Sequence, residues 1–76
     1  MKNHLERLKE LRQDNDLTQE EVGETLGTTK QYYQKYEKGI RPLPIRHLIT
    51  LAQLYHTSTD YLLGLTDEPQ PYPRAE

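Results

Sequence analysis

Apolar residues along this chain recur at three- and four-residue spacings and never in strand-length alternation, so every element they predict is a helix. Leu5, Leu8 and Leu11, separated by Glu6, Arg7, Lys9, Glu10 and Arg12, predict a first amphipathic helix that ends near Asn15. Thr18 opens a second. With Glu21 it forms a T-x-x-E box, in which a hydroxyl and a carboxylate each satisfy an orphan amide of the helix start. Leu17 and Val22 have the spacing of a hydrophobic staple across that start, and Glu20 and Glu21 lie at the positive end of the helix dipole. Gly27, after Leu26, supplies a left-handed residue to end the helix, and Thr28 or Thr29 can cap the next one at once. Gly39 closes that third helix and Pro42 prevents its continuation. After Pro44, the run Ile45, Leu48, Ile49, Leu51, Ala52, Leu54 and Tyr55 is apolar over more than one stripe, which predicts a helix central to the core. Ser58 caps a short last helix, Thr59 to Leu63, stopping at Gly64. The expectation is an all-α chain of five helices.

The second and third helices, joined by one short glycine turn, have the grammar of a helix-turn-helix. A second helix held at a fixed angle to the first, with its N-terminal side chains free, fits the DNA major groove. Composition bounds the alternatives. With 76 residues and no Phe, Trp or Cys, the chain is one small domain whose core must be aliphatic side chains and tyrosines. Without cysteine there are no disulfides, which permits a reducing cytoplasm. The start, Met1 to His4, is polar and lacks an apolar signal run, and no stretch is apolar enough to span a bilayer, so a soluble cytoplasmic protein without membrane contact is expected. His4, His47 and His56 show no metal-ligand spacing, and no glycine-rich loop cradles a phosphate, so neither an enzyme nor a bound cofactor or metal is expected.

A formal net charge of −2 argues against a nucleic-acid partner, but the distribution of charge argues for one. Residues 14 to 27 hold Asp14, Asp16, Glu20, Glu21 and Glu24 with no Lys or Arg; residues 28 to 47 hold Lys30, Lys35, Lys38, Arg41 and Arg46 against Glu37 alone. A local basic stripe is sufficient to meet phosphates, with modest non-specific affinity and strong salt sensitivity as the expected consequence.

Leu17-Thr18-Gln19-Glu20-Glu21-Val22, then Tyr36-Glu37-Lys38-Gly39, Arg41-Pro42, Leu51-Ala52 and Asp60-Tyr61-Leu62-Leu63-Gly64 resemble, in order and spacing, the phage-repressor (Cro/cI-like, Xre) helix-turn-helix family. The resemblance runs from about Leu5 to Gly64 and implies a compact, lambda-repressor-like five-helix bundle over residues 1–64, with Thr18 to Leu26 as positioning helix and Thr29 to Lys38 as recognition helix. It implies base reading by Lys30, Gln31, Gln34 and Lys35, since Lys addresses guanine O6/N7 and Gln pairs bidentately with adenine. Tyr32, off the inward face, and Thr29, at the helix start, join that set. Gln19 matches the family glutamine that bonds a phosphate and braces the recognition helix, and Lys38 and Arg41 match loop residues that hold phosphate. Arg12 and Glu37 match the paired residues that tie the first helix to the end of the recognition helix in a partly buried salt bridge. Tyr33 and Tyr36, three residues apart on the same face, fall on apolar core positions.

The sequence also departs from the family pattern. Gly23 stands where alanine is usual, at a propensity cost of up to about 1 kcal/mol that close approach of Tyr33 would offset. Thr28 and Thr57 occupy aliphatic positions, His56 sits where a glycine ends the fourth helix and must take positive φ, and Lys38 replaces the frequent asparagine before the loop glycine. Residues 65–76, with Pro69, Pro71 and Pro73, are expected to form an extended or disordered tail outside the bundle, available to a protein partner. By resemblance the protein is a sequence-specific DNA-binding transcriptional regulator, a repressor that meets a pseudo-palindromic double-stranded operator as a homodimer through the region Asp60 to Leu65. The alternative is a helical interaction module, such as the antitoxin of a toxin-antitoxin pair.

Overall fold

Five side-chain or backbone caps punctuate the chain into five helices: α1 (His4–Asp14), α2 (Gln19–Thr25), α3 (Lys30–Glu37), α4 (Ile45–Leu54) and α5 (Thr59–Leu62). The structure, a computed structural model, describes residues 3–71. Asn3, Thr18, Thr29 and Ser58 each accept from an amide of the first turn they precede, at 2.9 to 3.1 Å. At α2 the box is reciprocal, because the Thr18 amide donates to the Glu21 carboxylate at 2.9 Å. Of the two candidate caps for α3 it is Thr29 that serves. Only α4 starts without a side-chain cap, after Pro44.

Helix ends follow the same economy. Gly27, Gly39 and Gly64 take positive φ, and His56, as its position requires, takes φ 52° to end α4. Asp16, at φ 56°, turns the chain between α1 and α2 where no glycine is present. The bulk of the core is Leu8, Val22, Leu26, Tyr33, Tyr36, Leu51, Ala52, Tyr55 and Leu62, with Leu11, Leu17, Leu43 and Leu48 packed at its edge. α4 is less central than its composition predicts. Leu51, Ala52 and Tyr55 go inward, but Ile45, Ile49 and Leu54 remain exposed, because no second layer covers the helix's outer stripe among the described residues.

Two sequence expectations are corrected here. Arg7, spaced as a polar residue of a solvated face, is buried: its guanidinium stacks on the Tyr61 ring at 4.1 Å and donates to the carbonyls of Tyr61 and Thr66 and to Asp67. Arg is the one cation that stacks and donates in several directions at once, so burial leaves it satisfied. Consequently residues 65–71 do not leave the bundle, as the proline content suggests they should. Arg7 holds Thr66 and Asp67, and the buried Thr57 donates to the Pro69 carbonyl at 2.6 Å. Thr57 therefore has a polar reason for standing at an aliphatic position. The rest of the proposed tail, 72–76 with Pro73, lies outside the described residues, as do Met1 and Lys2.

The second correction concerns Gly23. A Cβ there would meet the carbonyl oxygens of Thr29 at 3.1 Å and Thr28 at 3.3 Å, so the nearest approach comes from the turn backbone rather than from Tyr33. The Thr28 amide donates to the Gly23 carbonyl at 2.8 Å, pinning that turn against the helix. One methyl requires the turn to give by a few tenths of an ångström, whereas a branched side chain cannot be admitted. Gly23→Ala is expected to stay within about 1 kcal/mol of the wild type, helix propensity offsetting the crowding. Gly23→Val is expected to lose about 1–3 kcal/mol by overpacking. Urea unfolding of both variants checks this, and a valine variant as stable as the alanine one would contradict it.

Candidate nucleic-acid interface

α3 is amphipathic in a way that leaves one edge committed to the protein and the other free. Tyr33 is 0% exposed and Tyr36 nearly so, as the resemblance implies, and the two rings pack edge to face with centroids 6.3 Å apart. Lys30 and Gln31 lie exposed in the first turn of α3, directly after the rigid turn at Gly27. Thr29, also exposed, spends its hydroxyl oxygen on the Tyr32 amide but keeps a proton to donate. Gln34 and Lys35, half-buried, continue along the helix.

The inner edge is tied down by a polar network that crosses three helices. Glu37, at the end of α3, receives Arg12 Nε at 2.7 Å and a second, longer guanidinium bond at 3.3 Å, with both side chains largely buried. Arg12 also donates to the Leu17 carbonyl at 3.1 Å, so it fixes the α1–α2 connection as well. Gln19 donates to Glu37 at 3.2 Å and accepts from Gln34 at 2.9 Å. Gln19 thus braces α3 twice, and its amide nitrogen retains one proton to donate. The bond from Gln34 to Gln19 is a contact the sequence did not announce; it turns the Gln34 amide partly inward.

Burial opposes the charge on Glu37, but hydrogen bonding from Arg12 and Gln19 outweighs it and holds the carboxyl below the usual glutamate range. The bond to Glu37 is likewise what raises Arg12, against burial. The Tyr33 hydroxyl lies close to the same carboxylate without meeting hydrogen-bond geometry, and burial first, then the Glu37 charge, push its phenol well up. Tyr55, similarly buried and without a hydroxyl partner among the described residues, is pushed up to about 12. Both phenols are therefore neutral core dipoles.

The loop after α3 folds back on the helix end: the amides of Ile40 and Arg41 both donate to the Lys35 carbonyl, at 2.9 and 3.3 Å. This closure is main-chain to main-chain, so it has no need of the asparagine that Lys38 replaces. Lys38 and Arg41 are exposed on that loop, and Arg41 lies over the Tyr32 ring, 5.4 Å from its centroid. Between Tyr32, Tyr36 and the start of α4 runs an open cleft of about 490 Å³, to which Arg41, Arg46 and His47 also contribute. His47, buried and edge to face with Tyr36, is held below the usual histidine range by burial and by Arg46. Sequence reasoning counted Arg46 in the basic run but gave neither residue a place; the only signal was their position in that run. Among the described residues no group of His, Cys, Asp or Glu is arranged to hold a metal ion, and no helix is long and apolar enough to cross a membrane.

A family model described as helix-turn-helix matches residues 8–62. An uncharacterized HTH-type transcriptional regulator of Bacillus subtilis, YobD, is 43% identical over 68 residues, which are 90% of this chain and 61% of that protein. The HTH-type transcriptional regulator AnsR of the same organism is 36% identical over 72 residues, 95% of this chain and 62% of AnsR. ImmR, also an HTH-type transcriptional regulator of that organism, is 43% identical over 58 residues, 76% of this chain and 46% of ImmR. The chain therefore spans about half to three-fifths of the length of these curated relatives. No solved structure matches it with significance.

The buried pair makes two predictions. Removing one partner strands a charge, so Arg12→Ala or Glu37→Ala is expected to cost about 3–5 kcal/mol in chemical unfolding. Because the folded carboxyl titrates lower than the unfolded one, its stabilisation is complete above the ordinary glutamate value of about 4.3 and is lost as pH falls through the folded value. Thermal midpoints measured between pH 7 and pH 3 should fall across that window in the wild type and less steeply in Glu37→Gln. Equal slopes would show that Glu37 is not the group responsible.

Proposed function

This chain belongs to the helix-turn-helix family, and we propose that it is the sequence-specific DNA-binding domain of a transcriptional regulator. The family is not an enzyme family, and the relatives named above are regulators. One observation carries the reading: Lys30 and Gln31 are exposed in the first turn of a helix whose opposite edge is locked to α1 and α2 through Glu37, Arg12 and Gln19. A helix fixed in that way presents the same side chains at the same angle each time it meets a groove.

In this reading Thr29, Lys30 and Gln31 meet base edges, with Gln34 and the positions beyond it lining the groove, and Gln19, Lys38 and Arg41 hold phosphates on either side. The protein acts as a homodimer on a pseudo-palindrome with half-sites about 34–36 Å apart. The exposed Leu63 and Leu65 at the end of α5 support the expected surface from Asp60 to Leu65. Resemblance to phage repressors favours repression, a cytoplasmic location follows from the DNA partner, and the docked segment 65–71 offers a route to a protein partner.

Selection of duplexes from a random pool tests this. The wild type is expected to enrich an inverted repeat, and the Lys30→Ala, Gln31→Ala double variant to lose at least tenfold of the preference for it, since each good base contact is worth about 1–3 kcal/mol of discrimination. Equal enrichment of the same sequence by both proteins would remove base reading from this helix. Failure of the wild type to enrich any sequence would favour an interaction module instead.

A further inference from the structure

Tyr32 has an environment that its expected place among base-reading residues does not explain. It is 37% exposed, and its ring lies under two cations, Arg41 at 5.4 Å and Lys35 at 5.7 Å from the centroid. Both distances fall within the range of cation–π attraction. The ring is itself fixed from behind. It packs edge to face on the buried Tyr36 at 5.6 Å and 70°, and Tyr36 packs in the same manner on His47 of α4. Arg41 is fixed at its backbone too, by the bond from its amide to the Lys35 carbonyl.

Neither Lys35 nor Arg41 has a carboxylate partner among the described residues, and no acidic side chain lines the cleft to which Arg41 contributes. Two positive groups within about 6 Å of one ring attract an anion more strongly together than either does alone. Resting on the DNA-binding reading above, we propose that Tyr32 is a positioning residue: its ring holds Arg41 and Lys35 together as a two-cation clamp for one phosphate of the DNA backbone. Lys35 thereby moves from reading bases to gripping phosphate, and Tyr32 touches no base. The phosphate lies beside the recognition helix, on the side of the cleft where Arg46 adds a third positive charge. A free phosphate offers the same chemistry, but the gain of Tyr32 would then be the same for inorganic phosphate as for a duplex.

The clamp predicts a pattern that neither base reading nor a packing role produces. Affinity for a random-sequence duplex and for the duplex enriched by the wild type is measured at several salt concentrations, with thermal melting to confirm that each variant is folded. Tyr32→Phe keeps the ring and should match the wild type throughout. Tyr32→Leu and Tyr32→Met keep bulk but not the ring, and should weaken both duplexes by the same factor, about three- to tenfold. The slope of log affinity against log salt should become shallower by about one, the loss of one phosphate contact. Arg41→Ala should flatten the slope likewise, and adding Tyr32→Leu to it should cost less than in the wild type, because the ring then has less to hold. Inorganic phosphate should compete only weakly with the duplex.

Unchanged slopes in folded Tyr32→Leu and Tyr32→Met, while the wild type binds normally, overturn the clamp and leave the DNA-binding reading intact. A shift in the preferred sequence at constant slope overturns it in favour of base contact by Tyr32. A wild type without measurable affinity for either duplex overturns both proposals.

Discussion

A carboxylate buried at the end of a helix is tolerable only if it is saturated with donors, and that constraint organises this domain. Glu37 is removed from water and answered by two bonds from Arg12 and one from Gln19. Because those donors come from α1 and from the first residue of α2, satisfying one charge fixes the relative placement of three helices. A buried ion pair of this kind is weak as a source of net stability, but it penalises every arrangement in which the partners miss each other. Rotation of α3 would break the Glu37 bonds as well as disturb the packing of Tyr33 and Tyr36, and the exposed edge of α3 inherits that constraint.

The local grammar of the fold was written in the chain in a form that elementary rules could read. The caps Thr18, Thr29 and Ser58 and three positive-φ glycines lie where the pattern places them, because caps and turns depend on residues next to one another, whereas the Asn3 cap was not anticipated and the left-handed His56 was legible only against the family pattern. Burial of Tyr33 and Tyr36, and the Arg12–Glu37 pair, became legible only through resemblance, since helical spacing alone shows which residues share a face and not what that face meets. What stayed hidden was tertiary. Arg7 sits among charged residues at a polar spacing, and nothing nearby in sequence reveals that Tyr61 and Thr66 will surround it. The apolar run of α4 promised more burial than the described residues provide: Ile45 and Ile49 have no layer among them to pack against.

The candidate site divides along the same line. Exposed first-turn residues such as Lys30 and Gln31 could be found by position, because exposure at a helix start follows from the cap and the turn. The surroundings of Gln34 and Tyr32 could not, since each has a partner supplied by another element: Gln19 for the first and Arg41 for the second. A low formal charge overall is compatible with this arrangement. The acidic residues of 14 to 27 and the basic residues of 28 to 47 occupy successive stretches, so the field near α3 is set by its neighbours and not by the sum.

The segment after α5 is held largely by its own main chain. Arg7 grips the carbonyl of Thr66 and Thr57 grips that of Pro69, while Asp67 is the one side chain of the segment engaged by these two residues. A grip on carbonyl oxygens is blind to side-chain identity, as every residue carries the same acceptor. The grips on positions 66 and 69 therefore tolerate a change of side chain there, whereas the grip on Asp67 does not. Change at positions 66 and 69 is thereby uncoupled from change on the exposed edge of α3.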